Sequence, residues 1–293
     1  MTMIILSQKK LLSGVAFSVS GGQYLSYYPK CLCQFIFNQY FRQVFTQLYH
    51  RVSDSIVIIP TYNEKENIER IIRKVFSLDF SFDVLIIDDG SPDGTAAIVK
   101  QLQTEFKGLH IEERKGKLGL GTAYIHGFKW ALKHDYEYIF EMDADFSHNP
   151  DDLLSLRDAC IKGADVAIGS RYVKGVNVVN WPMSRVLMSY FASMYVRMIT
   201  RINIQDATAG FKCYRKIVLQ TIPLDKIRFV GYAFQIEMKF TAIKYGFKVV
   251  EVPIIFTDRT EGTSKMSTSI FREAFVGVIQ MKVNSWFRDY KRN

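Results

Sequence analysis

The chain has 293 residues, 48% of them hydrophobic and 14% aromatic, so it can bury a sizeable core and is unlike disordered proteins. This length suits one large α/β domain with extensions. The formal net charge is +9, and about half of the excess lies before Asp54, the first acidic residue. No basic run or zinc-finger spacing accompanies this charge, which argues against nucleic acid and favours an anionic ligand or membrane face.

Residues 1–52 differ from the rest of the chain, because they contain no acidic residue, many aromatic residues and no steady period. We interpret them as an N-terminal extension of uncertain order. Three alternatives remain open: a targeting segment, a membrane-surface helix around Cys33–Tyr49, or upstream sequence included by a mis-assigned start.

The four cysteines show no zinc-binding spacing and are expected to be reduced. No stretch reaches the roughly 18 apolar residues of a transmembrane helix.

From Ser55 onward, short apolar runs alternate with segments whose apolar residues recur at helical spacing. The predicted strands are Ile56–Ile59, ended by Pro60, and then Val84–Ile87, Leu109–Ile111, Tyr138–Met142 and Asp165–Ile168. The predicted helices are Asn67–Phe76, Thr95–Phe106, Thr122–Lys133 and Asp151–Lys162. This alternation predicts an α/β fold with a mostly parallel sheet and helices on both faces. Ligands are expected beyond the carboxyl ends of its strands.

Asp143 and Asp145 directly follow an apolar strand, with one residue between them. Two carboxylates this close repel each other unless a cation compensates. Mg²⁺ or Mn²⁺ prefers a few carboxylates together with phosphate oxygens of a substrate. Such a pair also arises by chance in a loop that merely caps the next helix through Asn149 or Asp151. The other strand ends favour the metal interpretation, since residues 60–64 and 88–91 add an aromatic side chain, more carboxylates and a turn glycine.

The motifs VIIPTYNE, IIDDGSPDGT, EMDADFSHNP and GSRY resemble those of inverting glycosyltransferases with the GT-A (Rossmann-like) fold. The later segments DATAGFKCYR, GYAFQIEM and EVPIIFTDRTEGTSKM resemble dolichol-phosphate mannose synthases and their bacterial polyprenyl-phosphate relatives in family 2. The resemblance spans about residues 55–270. It implies GDP-mannose as the donor, a polyprenyl (dolichyl-type) phosphate as the acceptor, and Mg²⁺ or Mn²⁺ as the cofactor.

The resemblance also implies roles for individual residues, which fall into three groups. Nucleotide binding is expected of Pro60, Tyr62, Glu64, Asp88, Asp89 and Asp143. The metal is expected on Asp143 and Asp145, with Ser147, a weaker ligand, where some relatives have Gln. Phosphate binding is expected of Arg171, Arg185, Arg259 and Lys265, and the residues expected to matter most for catalysis are Asp145, Arg171 and Arg185.

An acceptor phosphate changes the chemistry expected of the site. A phosphate monoester has a second pKa of about 6 and is largely an anion at neutral pH. The implied reaction is therefore an in-line displacement with inversion that needs no general base.

The C-terminal segment fits a lipid-linked acceptor. Residues 267–293 follow the glycosyltransferase domain of residues 53–266 and predict a basic amphipathic helix over Ile270–Phe287. Packing of this helix on the domain is an equal alternative. We expect the protein to associate peripherally with the cytoplasmic face of a membrane, or with a membrane partner protein.

Several other functions fit parts of the pattern. A UDP-glucose-dependent polyprenyl-phosphate glucosyltransferase, or another transferase of family 2, would use the same site with another donor. Nucleotidyl transfer is disfavoured, because those enzymes carry a Gly-rich basic loop after the first strand, where this chain has Pro60–Glu64. The non-enzymatic alternative is a basic membrane-surface protein that binds nucleotide without turnover.

Overall fold

A computed structural model describes residues 53–258 and 268–291. The N-terminal extension of residues 1–52, and with it the proposed helix at Cys33–Tyr49, lies outside the described residues. Two predicted phosphate-binding residues, Arg259 and Lys265, lie outside them as well.

Strands and helices alternate along most of the described chain. The strands are β1 Ser55–Thr61, β2 Asp83–Asp88, β3 Leu109–Glu113, β4 Tyr138–Glu141, β5 Val166–Ser170, β6 Val178–Val179, β7 Lys212–Arg215, β8 Val249–Pro253 and β9 Phe256–Thr257. The helices are α1 Ile68–Phe76, α2 Thr95–Leu102, α3 Leu120–Ala131, α4 Asp152–Ile161, α5 Met183–Thr200, α6 Lys216–Thr221, α7 Tyr232–Lys244 and α8 Thr268–Asn284, with a 3₁₀ turn at Leu224–Lys226.

The main sheet has seven strands in the order β3-β2-β1-β4-β7-β5-β8. All neighbouring strands in it are parallel except β7, which runs antiparallel to both β4 and β5. The prediction of a mostly parallel α/β sheet is therefore confirmed. A second sheet pairs β6 with β9, and it lies where the chain leaves β5 and returns from β8.

Side chains of β1 alternate between two apolar cores. Ile56 and Ile58 pack with α3 and α7 on one face, whereas Val57 and Ile59 pack with α1, α2 and α4 on the other. All four side chains are fully buried. Burial on both faces explains why the strand has an uninterrupted apolar sequence.

The first strand continues past Pro60, where the sequence predicted its end. Ile58 accepts a hydrogen bond from the Met142 N–H, so Ile58 and Pro60 both face β4. The pairing of β1 with β4 ends at Ile58, whereas the pairing with β2 continues to Thr61. The missing N–H of Pro60 therefore costs no ladder bond, which is the condition under which a strand tolerates proline.

Among the described residues, none of the helices has both the length and the apolar character required to cross a bilayer. The longest, α5, has 18 residues and includes Arg185 and Arg197.

Candidate active site

A cavity of about 1360 Å³ lies at the carboxyl ends of β1, β4 and β5. Its lining includes most of the predicted site residues: Pro60, Tyr62, Glu64, Asp89, Asp143, Asp145, Arg171 and Arg185. Asp88 and Ser147 are described but do not line it. One cavity thus brings residues predicted for nucleotide, metal and phosphate binding together, at the edge where open α/β sheets bind ligands.

The two aspartates at the end of β2 have different surroundings. The Asp88 carboxylate accepts hydrogen bonds from the Thr61 hydroxyl (2.8 Å) and from the N–H and hydroxyl of Ser91 (2.8 and 2.6 Å). Asp89 borders the cavity and accepts hydrogen bonds from Arg114 Nε (2.7 Å) and the Leu118 N–H (3.1 Å). Asp88 therefore ties two turns together, and Asp89 is the carboxylate of the pair that faces the cavity.

Asp143 and Asp145 both line the cavity directly after β4. The buried Tyr124 hydroxyl donates to Asp143 Oδ1 at 3.3 Å, and Phe146 has a left-handed backbone with φ of 57°. The described residues contain no cluster of three or more His, Cys, Asp or Glu side chains arranged to hold a metal ion. Two cavity carboxylates nevertheless fit Mg²⁺ or Mn²⁺, because these cations take several ligands from water and substrate phosphates.

Ser147, which the sequence suggested as a weaker metal ligand, is buried in the turn that follows Asp145. Its side chain is 3% exposed, and its hydroxyl has no hydrogen-bond partner among the described residues. Its backbone N–H donates to Asp145 Oδ1 at 3.1 Å. In this structure Ser147 contributes to the site through its backbone, by orienting the Asp145 carboxylate.

Arg171 is held by a buried carboxylate. Its Nε and one terminal nitrogen donate to the two oxygens of Asp206 at 2.7 and 2.6 Å, and its backbone N–H donates to the same group at 3.0 Å. Glu251 holds this arrangement in turn by accepting hydrogen bonds from the N–H groups of Gln205 and Asp206 and from the Ser170 hydroxyl. A bidentate Arg–carboxylate pair of this kind fixes the plane of the guanidinium.

Arg185 reaches the cavity from the first turn of α5. Its terminal nitrogen donates to Asp258 Oδ1 at 2.7 Å. The Arg171 and Arg185 guanidinium carbons lie 5.4 and 4.2 Å from the ring centroid of Trp181. The two predicted phosphate-binding arginines therefore meet at one indole ring.

Two lysines with no exposed surface lie below the cavity. Lys212 pairs with Glu141 at 2.9 Å and donates to the side-chain oxygen of Gln235, while Lys239 donates to the Ala209 carbonyl at 2.6 Å. Burial lowers the pKa of both ammonium groups, and for Lys212 the nearby Glu141 opposes this shift. Gln235 and Ala209 line the cavity, so the two buried lysines form hydrogen bonds to cavity-lining residues from inside the core.

A family model described as glycosyl transferase family 2 matches residues 56–222, which is more than half of the chain. The chain belongs to glycosyl transferase family 2. The match covers β1 to α6 and includes Asp143, Asp145, Arg171 and Arg185. The family assignment from the sequence motifs is therefore confirmed.

Two relatives and one solved structure show which glycosyltransferases this chain resembles. The polyprenol monophosphomannose synthase of Mycolicibacterium smegmatis is 47% identical over 227 residues, which cover 77% of this chain and 86% of the relative. The undecaprenyl-phosphate mannosyltransferase of Micrococcus luteus is 44% identical over 223 residues, covering 76% and 91%. Glucosyl-3-phosphoglycerate synthase from Mycobacterium tuberculosis, solved with Mn²⁺, UDP and glucosyl-3-phosphoglycerate, has a TM-score of 0.57 at 15% identity, covering 78% of this chain and 79% of that one. That structural similarity confirms the GT-A fold.

Several cavity residues of this glycosyltransferase were not identified from the sequence. Trp181 and Lys117 both line the cavity, and the Lys117 ammonium lies 5.1 Å from the ring centroid of Tyr62. The sequence could have identified Trp181, because it lies between two predicted phosphate-binding arginines. The sequence gave no indication that Asp206 pairs with Arg171, since the two residues are 35 positions apart along the chain.

His148 is a further cavity residue and belongs to the same sequence motif as Asp143 and Asp145. It is 3% exposed, and its ring stacks on Phe211 with centroids 4.9 Å apart. Burial lowers the pKa of His148 to about 4, and the attraction of Asp145 offsets only part of this effect. The imidazole is therefore neutral at pH 7.

This buried histidine predicts a pH-dependent stability. An unfolded histidine has a pKa of about 6.5, so below that pH the unfolded chain binds a proton that the folded chain excludes. We expect this group to lower the free energy of unfolding by about 2 kcal/mol between pH 7 and pH 5. In urea unfolding at the two pH values, His148→Phe should remove that part of the loss while keeping an aromatic ring on Phe211. An equal loss in the variant and the unmodified protein would contradict the prediction.

Proposed function

We propose that this glycosyltransferase transfers mannose from GDP-mannose to a polyprenyl phosphate, giving polyprenyl-phosphate mannose with inversion at the sugar. One observation carries the proposal. A single cavity joins two carboxylates suited to a metal–diphosphate, two arginines suited to an acceptor phosphate, and an apolar wall suited to a lipid chain. The names of the two relatives at 47% and 44% identity support the same reaction.

The apolar wall supports a lipid acceptor. It is formed by α5, through Met188, Phe191, Ala192 and Tyr195, and by α8, through Phe275 and Val278. The Tyr195 and Phe275 rings stack with centroids 4.4 Å apart. A sugar or glycerol acceptor would gain little from such a wall, whereas an isoprenoid chain would remove apolar surface from water there.

The types of residue that line the cavity suggest separate tasks. Pro60, Tyr62, Glu64 and Asp89 would bind the nucleotide. Arg171 and Arg185 would hold the acceptor phosphate close to the anomeric carbon, where they offset the repulsion between two anions. Arg259 and Lys265, after β9 in the sequence, would supply further positive charge to the phosphates.

No residue is needed to remove a proton, because the attacking oxygen already belongs to an anion at neutral pH. A divalent cation on Asp143 and Asp145, Mg²⁺ or Mn²⁺, would offset the charge that accumulates on the leaving diphosphate. Tyr124 and the Ser147 N–H would keep the two carboxylates oriented toward it.

The donor and acceptor can be tested together. Radiolabelled GDP-mannose and UDP-glucose would each be offered with polyprenyl phosphate and either Mg²⁺ or Mn²⁺. Label in the lipid fraction from GDP-mannose alone supports the proposal. Transfer from UDP-glucose instead would make the protein a polyprenyl-phosphate glucosyltransferase, and nucleotide binding without release of GDP or UDP would contradict an enzymatic role.

We also propose that the enzyme works at the cytoplasmic face of a membrane, where nucleotide sugars and lipid phosphates can meet. Helix α5 supports this, because large apolar side chains on it are exposed next to the cavity: Met183, Leu187, Met188, Phe191, Met194 and Met198 are between 47% and 69% exposed. Its charged residues are all arginines, which complement anionic lipids.

We predict that Phe191→Glu weakens binding to vesicles that contain anionic phospholipid. The change places a negative charge in the apolar face of α5 and should reduce the bound fraction several-fold in co-sedimentation. Ile161→Glu is the matched control, because Ile161 on α4 and Phe191 are both 53% exposed. Equal loss of binding in both variants would contradict a membrane role for α5.

A further inference from the structure

Trp181 lies between β6 and α5 and lines the cavity. The guanidinium carbon of Arg185 is 4.2 Å from the centroid of its ring, and that of Arg171 is 5.4 Å away. Both distances lie within the roughly 6 Å range in which a cation is attracted to an aromatic face. One ring therefore contacts both arginines that are proposed to bind the acceptor phosphate.

Two like charges need compensation to remain close together. Each of these arginines has a carboxylate partner, Asp206 for Arg171 and Asp258 for Arg185. The partners differ in rigidity, since Asp206 is fully buried and makes a bidentate contact, whereas the side chains of Arg185 and Asp258 are 29% and 27% exposed. The position of Arg185 is thus the less constrained of the two, and Trp181 is closest to it.

We propose that Trp181 is a positioning residue for the acceptor phosphate, which holds Arg185 at a fixed place beside Arg171. The inference rests on the proposed function, in which these arginines bind that phosphate. The electron-rich face of the indole attracts both guanidinium groups and lowers the cost of keeping them together before the anion arrives. The acceptor phosphate then binds to two guanidinium groups, of Arg171 and Arg185, that are already in position.

The ring itself is held by packing. Phe256 of β9 contacts it edge to face, with centroids 5.2 Å apart. The indole N–H is buried and donates to no hydrogen-bond partner among the described residues. Trp181→Phe therefore removes aromatic electron density without breaking a described hydrogen bond, and Trp181→Leu removes the aromatic face altogether.

Steady-state kinetics of the 293-residue chain with GDP-mannose and a water-soluble acceptor, farnesyl phosphate, test the inference. Trp181→Leu should raise the KM for farnesyl phosphate about tenfold, which corresponds to about 1.4 kcal/mol and lies in the range expected for losing two cation–π contacts. The KM for GDP-mannose should stay unchanged. The KM of Trp181→Phe for farnesyl phosphate should lie between those of Trp181→Leu and the unmodified protein, because phenylalanine attracts a cation less strongly than tryptophan does. Trp130→Leu is the matched control, since Trp130 is partly buried and does not line the cavity.

A spectroscopic measurement adds a signal that a space-filling role would not produce. The chain has three tryptophans, so the double variant Trp130→Phe/Trp286→Phe leaves Trp181 as the only indole. Its fluorescence should change on addition of farnesyl phosphate, saturate near the KM, and stay constant with farnesol, which lacks the phosphate.

The outcomes separate the inference from the proposed function. If Arg185→Ala raises the KM for farnesyl phosphate but Trp181→Leu does not, the role of Trp181 is refuted and the phosphate site stands. Equal defects in Trp181→Leu and Trp181→Phe would also refute it, because the aromatic face would then be irrelevant. If Arg185→Ala leaves that KM unchanged, the proposed phosphate site itself is wrong.

Discussion

Asp145→Asn is expected to lower the rate of mannosyl transfer by about a thousandfold, the scale on which loss of one transition-state charge contact acts. The amide keeps the size of the side chain and can still accept the hydrogen bond from the Ser147 N–H. It loses the negative charge that, with Asp143, would bind the cation. The leaving diphosphate would then have to accumulate its charge without a metal to offset it.

The matched control is Asp151→Asn, the same substitution six residues later. The Asp151 side chain is 52% exposed, pairs with Lys74 and does not line the cavity, so activity should remain close to that of the unmodified protein. Electron paramagnetic resonance of Mn²⁺ in the presence of GDP gives an independent readout, in which Asp145→Asn should leave more of the cation free. Full activity of Asp145→Asn with Mn²⁺ present would overturn the metal assignment.

Parts of the fold that depend on local patterns could be predicted from the sequence. The runs at Ile56–Ile59 and Val84–Ile87 are apolar at every position because both faces of their strands are covered, and this signal needs no knowledge of the neighbours. The polar motifs fall at strand ends because carboxyl ends of parallel strands share one edge. That rule alone predicts that Asp89, Asp143 and Arg171 lie in one cavity, as they do in the structure.

Strand β7 could not be predicted in the same way. It lies in the middle of the sheet, antiparallel to both neighbours, yet it begins with Lys212, a residue that is seldom fully buried. Lys212 is tolerated there because Glu141 on the adjacent strand supplies the opposite charge. The pattern of one segment cannot reveal such a partner 71 residues away.

The same limit applies to the candidate site. The sequence indicated that Arg171 is a phosphate-binding cation, but it gave no sign that Asp206 takes two of its nitrogens. It named both Asp88 and Asp89 for the nucleotide, because only tertiary contacts distinguish the aspartate that ties turns together from the one that faces the cavity. Residue types and order can indicate the chemistry of a site, whereas the orientation of each group depends on distant hydrogen bonds.

Asp206→Ala is expected to lower the free energy of unfolding by about 3–5 kcal/mol, the cost of removing one member of a buried ion pair. Asp206 is fully buried and Arg171 is 8% exposed, so the variant would leave a guanidinium in the core without its main partner. It would also remove the acceptor of the Arg171 backbone N–H. Urea unfolding followed by circular dichroism measures the loss.

Asp158→Ala is the matched control for this change. Asp158 pairs with Lys162 on the surface of α4, where the two side chains are 55% and 73% exposed, and such a pair contributes about 1 kcal/mol or less. A loss in Asp206→Ala no larger than in Asp158→Ala would contradict the role given to the buried pair.

The pH dependence of the difference tests its electrostatic origin. Burial alone would raise the pKa of Asp206, but the charge and hydrogen bonds of Arg171 outweigh burial and hold that pKa below its usual range. The stabilisation by the Asp206–Arg171 pair is therefore complete above about pH 3.9, the pKa of an unfolded aspartate. It is lost as the pH falls through the lower pKa that Asp206 has in the folded protein. The gap in stability between the unmodified protein and Asp206→Ala should be constant near neutral pH and narrow only in strong acid. A gap that narrowed between pH 7 and pH 5 would mean that another group is responsible.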